Sequence, residues 1–110
     1  MYKPGIILNK SFLSFEWISS PETVSLYIYL LLDASSDDDV VFGHNLHRGQ
    51  AIILRSTLMR NLGISSQRLS TAMRRLKDSG CIAIDKVRKY YLITLNKYDD
   101  YATSTKQIPL

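Results

Sequence analysis

Between Ser65 and Gly80 the chain carries a dense set of side chains able to hydrogen-bond base edges or hold phosphates: Gln67, Arg68, Ser70, Thr71, Arg74 and Arg75. They alternate with Leu69, Ala72, Met73 and Leu76, whose i, i+3, i+4, i+7 spacing makes one narrow apolar stripe of a helix. At 100° per residue, Gln67, Thr71 and Arg74 point most directly away from that stripe. Ser70 stands beside them, and Arg68 and Arg75 lie on the opposite flank. A second basic group, Lys86, Arg88 and Lys89, follows between two alternating apolar runs. An isolated basic helix face is more often a solvated surface than a binding face, so the elements around it have to decide.

Those elements start just upstream. Leu58, Met59 and Leu62 fall on one helical face, and Gly63 stands where a helix can end in a left-handed residue. Ser65 offers a hydroxyl to cap the next helix. Residues 56–79 are therefore expected to form a helix-turn-helix. After Gly80, Ile82 and Ile84 alternate with Ala83 and Asp85, and Tyr91, Ile93 and Leu95 alternate with Leu92 and Thr94. This predicts a two-stranded hairpin over residues 82–96 with the basic group at its tip.

Further towards the N-terminus, Ile6–Leu8 reads as a short extended piece and Asn9 as the cap of one or two helical turns. Phe12, Phe15 and Trp17 read as core anchors. Ser20 as cap, Pro21 at the first helical position and Glu22 in the first turn mark a firm helix start. Val24, Leu26, Tyr27, Ile28 and Leu30–Leu32 cover most of that helix, as expected of one packed on several sides. Ser35–Asp39 is expected as a solvated acidic loop, Val40–Phe42 as a strand, Gly43–Gly49 as a loop and Ala51–Leu54 as a second strand. The aspartates lack calcium-loop spacing, and His44 and His47 read as surface histidines. Tyr98 and Tyr101 are expected to pack back on the core, ahead of a mobile polar stretch at Thr103–Gln107.

Composition bounds the function. The 110 residues suffice for one domain with a real core, and 45% hydrophobic with 22% charged residues is ordinary for a globular protein. The apolar runs are too short for a membrane span and the N-terminus lacks a signal-peptide pattern, so a cytoplasmic protein that engages no membrane is expected. The single cysteine, Cys81, permits no intramolecular disulfide and reads as a structural thiol. No paired carboxylates, nucleophile with base, phosphate-cradling glycine loop or metal-ligand spacing is visible. The expectation is a non-enzyme with no metal or other cofactor. Residues 48–97 hold eleven Lys and Arg against two Asp, a net of +9, whereas residues 1–47 have a net of −4. Positive charge concentrated around the basic helix favours a polyanion, double-stranded DNA, as partner.

The chain resembles the winged-helix N-terminal domain of phage and bacterial replication initiation proteins, including DnaD-like primosome components. The resemblance covers nearly the whole chain. It rests on FLSFEW at 12–17, SPETVSLYIYLLLDAS at 20–35, RGQ at 48–50, GIS in the turn at 63–65, Gly80 before the hairpin and NKYDDY at 96–101. Met59 departs from the alanine common there. What it implies is an α+β winged helix-turn-helix with an N-terminal extension at 1–20, a domain spanning 1–97 and a C-terminal tail at 98–110. It further implies a module that docks on duplex DNA at an origin, self-associates and recruits the replicative helicase or its loader. On that pattern Gln67, Ser70, Thr71 and Arg74 would face the major groove. Arg68 and Arg75 would meet flanking phosphates, and Lys86, Arg88 and Lys89 would follow the adjacent backbone. The family usually carries further domains, so the chain reads either as a stand-alone adaptor or as part of a longer product. The rival readings are a transcriptional regulator of one operator and a winged helix used as a protein-interaction or oligomerisation module.

Overall fold

Helix α1, Pro21–Asp33, is the element on which the fold is packed. Its buried residues, Thr23, Leu26, Tyr27, Leu30 and Leu31, fill more than one side, as the sequence predicts. Pro21 occupies its first turn, but the Ser20 hydroxyl does not cap the helix backbone. It bonds the buried Thr23 hydroxyl at 2.9 Å and accepts from Arg75 Nη1 at 2.9 Å. The helix start is therefore set by proline geometry and by Glu22 against the helix dipole.

The computed structural model describes residues 5–104. They form an α+β fold of four helices and small antiparallel sheets. Helix α2, Arg55–Leu62, closes at Gly63 with φ 65°, where the Gly63 amide donates to Met59 O at 2.9 Å. Only glycine enters that left-handed conformation without a Cβ penalty. Helix α3, Ser66–Asp78, starts at Ser65, whose hydroxyl accepts from the Arg68 amide at 3.2 Å. The expected stripe, Leu69, Ala72, Met73 and Leu76, is buried together with Leu26, Leu30, Leu31 and Leu58 in one core.

The largest sheet has three strands in the order β4 (Gln50–Ile53), β6 (Tyr90–Leu95), β5 (Ile82–Val87). Its register places Ala51 and Ile84 opposite Ile93 and Ile82 opposite Leu95, so the core-facing residues line up across all three strands. The hairpin therefore forms as expected, with its turn at Arg88 and Lys89.

Two features depart from the sequence reading. The Gly43–Gly49 segment is not all loop. Strand β2, Asp39–Val41, pairs with β3, His44–Leu46, through a two-residue turn at Phe42 and Gly43. Both turn residues have positive φ, 51° and 76°, which suits the twist of a tight hairpin. The signature was hard to read because phenylalanine stands where such turns take asparagine or aspartate. Residues 98–104 also form regular structure. Helix α4, Tyr98–Tyr101, leads into β7, Ala102–Ser104, which pairs antiparallel with β1, Ile6–Leu8. Thr103 and Ser104 thus lie in a strand, and the rest of the polar stretch expected to be mobile falls outside the described residues.

The N-terminal segment is an aromatic plug. Asn9 caps a 3-10 turn at Lys10–Ser14, accepting from the Ser11 amide at 3.1 Å. Phe12 and Phe15 stack at 4.8 Å, Phe15 stacks on Tyr27 at 4.7 Å, and Tyr101 meets Phe12 edge-on at 5.5 Å. The Tyr27 hydroxyl is buried with no hydrogen-bond partner among the described residues, and burial pushes its pKa well above the ordinary tyrosine value.

Arg48 and Gly49 hold the start of α4 beside β4. Arg48 Nε donates to Asp99 at 3.0 Å, Nη1 donates to Ser36 O at 2.8 Å, and the guanidinium lies 5.0 Å from the Tyr98 ring. Gly49, at φ 82°, passes so close to Tyr98 that a Cβ would stand 3.2 Å from its Cβ. Among the described residues no helix is long and apolar enough to cross a membrane.

Candidate functional site

Helix α3 sorts the sequence-predicted residues into three groups by what lies beside them. Gln67, Thr71 and Arg74 stand opposite the buried stripe, with Gln67 and Arg74 exposed. Thr71 is half-buried and returns its hydroxyl to Gln67 O at 3.1 Å, an ordinary mid-helix bond. Ser70 lies on the flank next to α2, where its hydroxyl accepts from Arg55 Nη2 at 2.6 Å. The same nitrogen donates to Ser66 O at 2.6 Å, so Arg55 clamps the first turns of α3 from the start of α2.

The opposite flank meets the start of α1. Arg68 forms an ion pair with Glu22, and Arg75 donates to the Ser20 hydroxyl. The Arg75 guanidinium also lies 5.6 Å from the Trp17 ring, and Trp17 Nε1 donates to Ser79 Oγ at 3.0 Å. Both arginines are thus held by partners within the chain, yet both remain exposed. Arg74 differs from them: among the described residues its side chain makes no ion pair, hydrogen bond or ring contact.

The basic hairpin tip is exposed at Lys86, Arg88 and Lys89, and among the described residues none of the three forms an ion pair either. Lys86 Nζ lies 5.9 Å from the Tyr91 ring and Lys89 Nζ 5.6 Å from the Tyr90 ring. Arg88 takes a positive φ of 56°, uncommon outside glycine, asparagine and aspartate. Tyr90 in turn stacks on Phe42, with ring centroids 4.8 Å apart and planes 11° from parallel. The β2–β3 turn is therefore packed against the start of β6. Sequence reading passed over Phe42, Tyr90, Arg55 and Glu22. For Arg55 and Glu22 the signal was only their charge, since the partners that give them a role are distant in sequence. For Phe42 the signal was a phenylalanine ending an expected strand, directly before a glycine.

Cys81 is buried, and burial raises its thiol pKa, with Glu16 Oε1 3.5 Å from the sulfur. That environment suits an inert structural thiol. A cleft of about 620 Å³ lies elsewhere, between the end of α1 and the β2–β3 hairpin. Leu32, Val41, Leu46, Ile52 and Tyr98 line it beneath Asp33 and Asp37–Asp39, and it contains none of the basic residues named above. His47, on the same hairpin, stays at the surface with its Nδ1 3.3 Å from Asp38.

Comparison of the chain with protein-family models, with curated proteins and with solved structures finds no match in any of the three. What can be said of function therefore rests on the geometry of α3 and the hairpin tip.

Proposed function

We propose that the chain is a winged-helix protein of replication-initiation type that docks on duplex DNA without catalysis. The observation that carries this reading is the pair of exposed basic groups left without ion pairs: Arg74 on the outer face of α3, and Lys86, Arg88 and Lys89 on the β5–β6 tip. In this reading α2 and α3 are the helix-turn-helix and the β5–β6 hairpin is the wing. Gln67, Thr71 and Arg74 enter the major groove, with Ser70 at its edge. The wing cations follow the adjacent backbone. Arg68 and Arg75 reach flanking phosphates only by exchanging Glu22 and Ser20 for them. The setting is the cytoplasm, and the partners beyond DNA are the replicative helicase or its loader.

Fluorescence anisotropy on duplexes across a salt series tests the reading. Neutralising about four to six phosphates gives a slope of log affinity against log salt of roughly −4 to −5. Arg74→Ala should cost about 1 to 3 kcal/mol on the preferred sequence, whereas Lys86→Ala should weaken all duplexes about equally. A flat salt response refutes it.

A second reading has its own observation. Ile7, Leu8 and Leu13 are exposed along the N-terminal segment, with Leu13 at 77%. Such a surface suits a protein-interaction or self-association role. Light scattering on nuclease-treated protein separates the two, because the interaction module predicts assembly together with no duplex shift at low salt.

A further inference from the structure

The cleft between the end of α1 and the β2–β3 hairpin has no task in duplex docking. Asp33 is the last residue of α1, and Asp37, Asp38 and Asp39 follow it closely; all four line the cleft. They stand there at a cost to the fold. The C-terminus of a helix is the negative end of its dipole, and the last turn of α1 has no basic residue to offset it. Burial raises the pKa of the Asp33 carboxyl further, and among the described residues that carboxyl has neither an ion pair nor a hydrogen bond. Asp38 is turned to His47 and Asp39 to the Val40 amide, whereas Asp37, like Asp33, has no ion pair among the described residues. The neighbouring cation, Arg48, is committed to Asp99 and the Ser36 carbonyl.

A second unmet group lines the same cleft. Tyr98 is 3% exposed, and its buried hydroxyl has no hydrogen-bond partner among the described residues. Burial is the main reason its pKa is raised, and Asp37 is near enough to add to the effect. A cationic donor entering beside Asp37 would meet an unpaired carboxylate and an unused hydroxyl lone pair together. The rest of the wall is apolar: Val41, Leu46 and Ile52, with Leu32 and Phe42 each 62% exposed. Four carboxylates repel a phosphate backbone. A bare metal ion would leave the apolar wall uncovered, and among the described residues no group of three or more Asp, Glu, His or Cys is arranged to hold one. A long side chain with an aliphatic stem and a cationic head suits both parts of the wall, and apolar neighbours on the same peptide would cover Leu32 and Phe42.

We infer that this cleft is a docking site for a basic amphipathic peptide segment of another protein, with one arginine seated at Asp33, Asp37 and the Tyr98 hydroxyl and an adjoining apolar residue packed on Leu32 and Phe42. The inference does not depend on the duplex reading, since none of the basic residues of α3 or of the β5–β6 tip lines the cleft.

The test uses the full chain and two fluorescein-labelled peptides of about twelve residues, one alternating arginine with leucine and the other arginine with serine. The parent protein should bind the arginine–leucine peptide about tenfold more tightly than the arginine–serine peptide, because only the first buries apolar side chains. Asp33→Asn removes a charge that the helix end disfavours, so its melting temperature should equal or exceed that of the parent. Its affinity for the arginine–leucine peptide should nevertheless fall about tenfold. Tyr98→Phe keeps the ring and deletes only the hydroxyl that has no partner, so it should be as stable as the parent and lose about fivefold in affinity for the same peptide. Failure of the parent to bind the arginine–leucine peptide, or parental affinity in either variant, overturns the inference. Equal binding of the two peptides overturns it too, since the aspartates then act only as a diffuse acidic surface. Displacement of the bound peptide by an equal concentration of spermidine overturns it in favour of a small-cation site. Self-association in light scattering that Asp33→Asn abolishes, with no peptide bound by the parent, overturns it in favour of a second copy of the chain.

Discussion

Glu22→Gln is expected to tighten duplex binding, and the reasoning runs through one ion pair. Glu22 neutralises Arg68 from the first turn of α1, with side-chain exposures of 31% and 62%. Removing the carboxylate charge keeps the side-chain shape and releases the Arg68 guanidinium on the flank of α3, the helix proposed to dock. If that guanidinium then meets one further phosphate, the salt slope steepens by about 0.9. One contact of this kind changes affinity by a factor of about eight for each tenfold change in salt, so the gain is largest in dilute buffer. The cost to the fold is small: a surface pair and a first-turn acid together contribute about 1 kcal/mol. Anisotropy titrations of parent and variant over a salt series read the slope directly. Asp100→Asn, which alters net charge equally on α4, separates the local effect from overall attraction. A Glu22→Gln protein that folds normally but has the parental slope, or one matched by Asp100→Asn, refutes the placement of Arg68 at the edge of the interface.

Three further outcomes concern the scaffold. Gly49→Ala places a Cβ 3.2 Å from Tyr98 Cβ at φ 82°, and should cost about 2 to 4 kcal/mol in denaturant unfolding. Ser65→Ala removes the hydroxyl that accepts from the Arg68 amide and should cost about 1 kcal/mol. Burial raises the pKa values of Tyr27, Cys81 and Tyr98 in the folded protein. For each group the folded pKa lies above the unfolded one, so its contribution is complete below the unfolded pKa and lost as pH rises through the folded pKa. Stability should therefore be level through neutral pH and decline from about pH 9 upward. Tyr27→Phe deletes a buried hydroxyl with no partner among the described residues, and should leave the neutral-pH melting temperature unchanged or raised while reducing the alkaline decline.

The parts of the fold legible in the sequence were those specified by neighbours along the chain. Gly63 and Ser65 punctuate α2 and α3, and the stripe Leu69, Ala72, Met73 and Leu76 defines the buried side of α3. Pro21 starts α1 as expected, and the alternation around Ile84 and Ile93 gives the β5–β6 hairpin. The β2–β3 hairpin was hidden because Phe42 breaks the usual turn chemistry. Helix α4 and strand β7 were hidden because they are short and are held by distant partners, Arg48 on Asp99 and β1 on β7. The outer face of α3 followed from its helical period. The engagement of its flanks by Glu22, Ser20 and Arg55 did not, since an ion pair or hydrogen bond between helices leaves no period in the sequence. The string Arg48–Gln50 and the string Asn96–Tyr101, read separately in the sequence, touch each other in the structure: Gly49 and Arg48 pack directly on Tyr98.

The pairing of β1 with β7 also sets the order in which the protein can be completed during synthesis. Ile6 emerges from the ribosome well before its strand partner Ser104, which lies almost a hundred residues further along. Until Ala102–Ser104 have been made, β1, with exposed Ile7 and Leu8, has no strand partner, and the Phe12–Phe15–Tyr27 stack waits for Tyr101 to close its edge. The helices and the β5–β6 hairpin can form from local contacts as they appear, whereas the β1–β7 ribbon is a long-range closure that follows them. Ribosome-bound chains stopped before Ala102 should therefore carry an assembled helical core with an open N-terminal strand, the form of this protein most exposed to mispairing with another nascent chain.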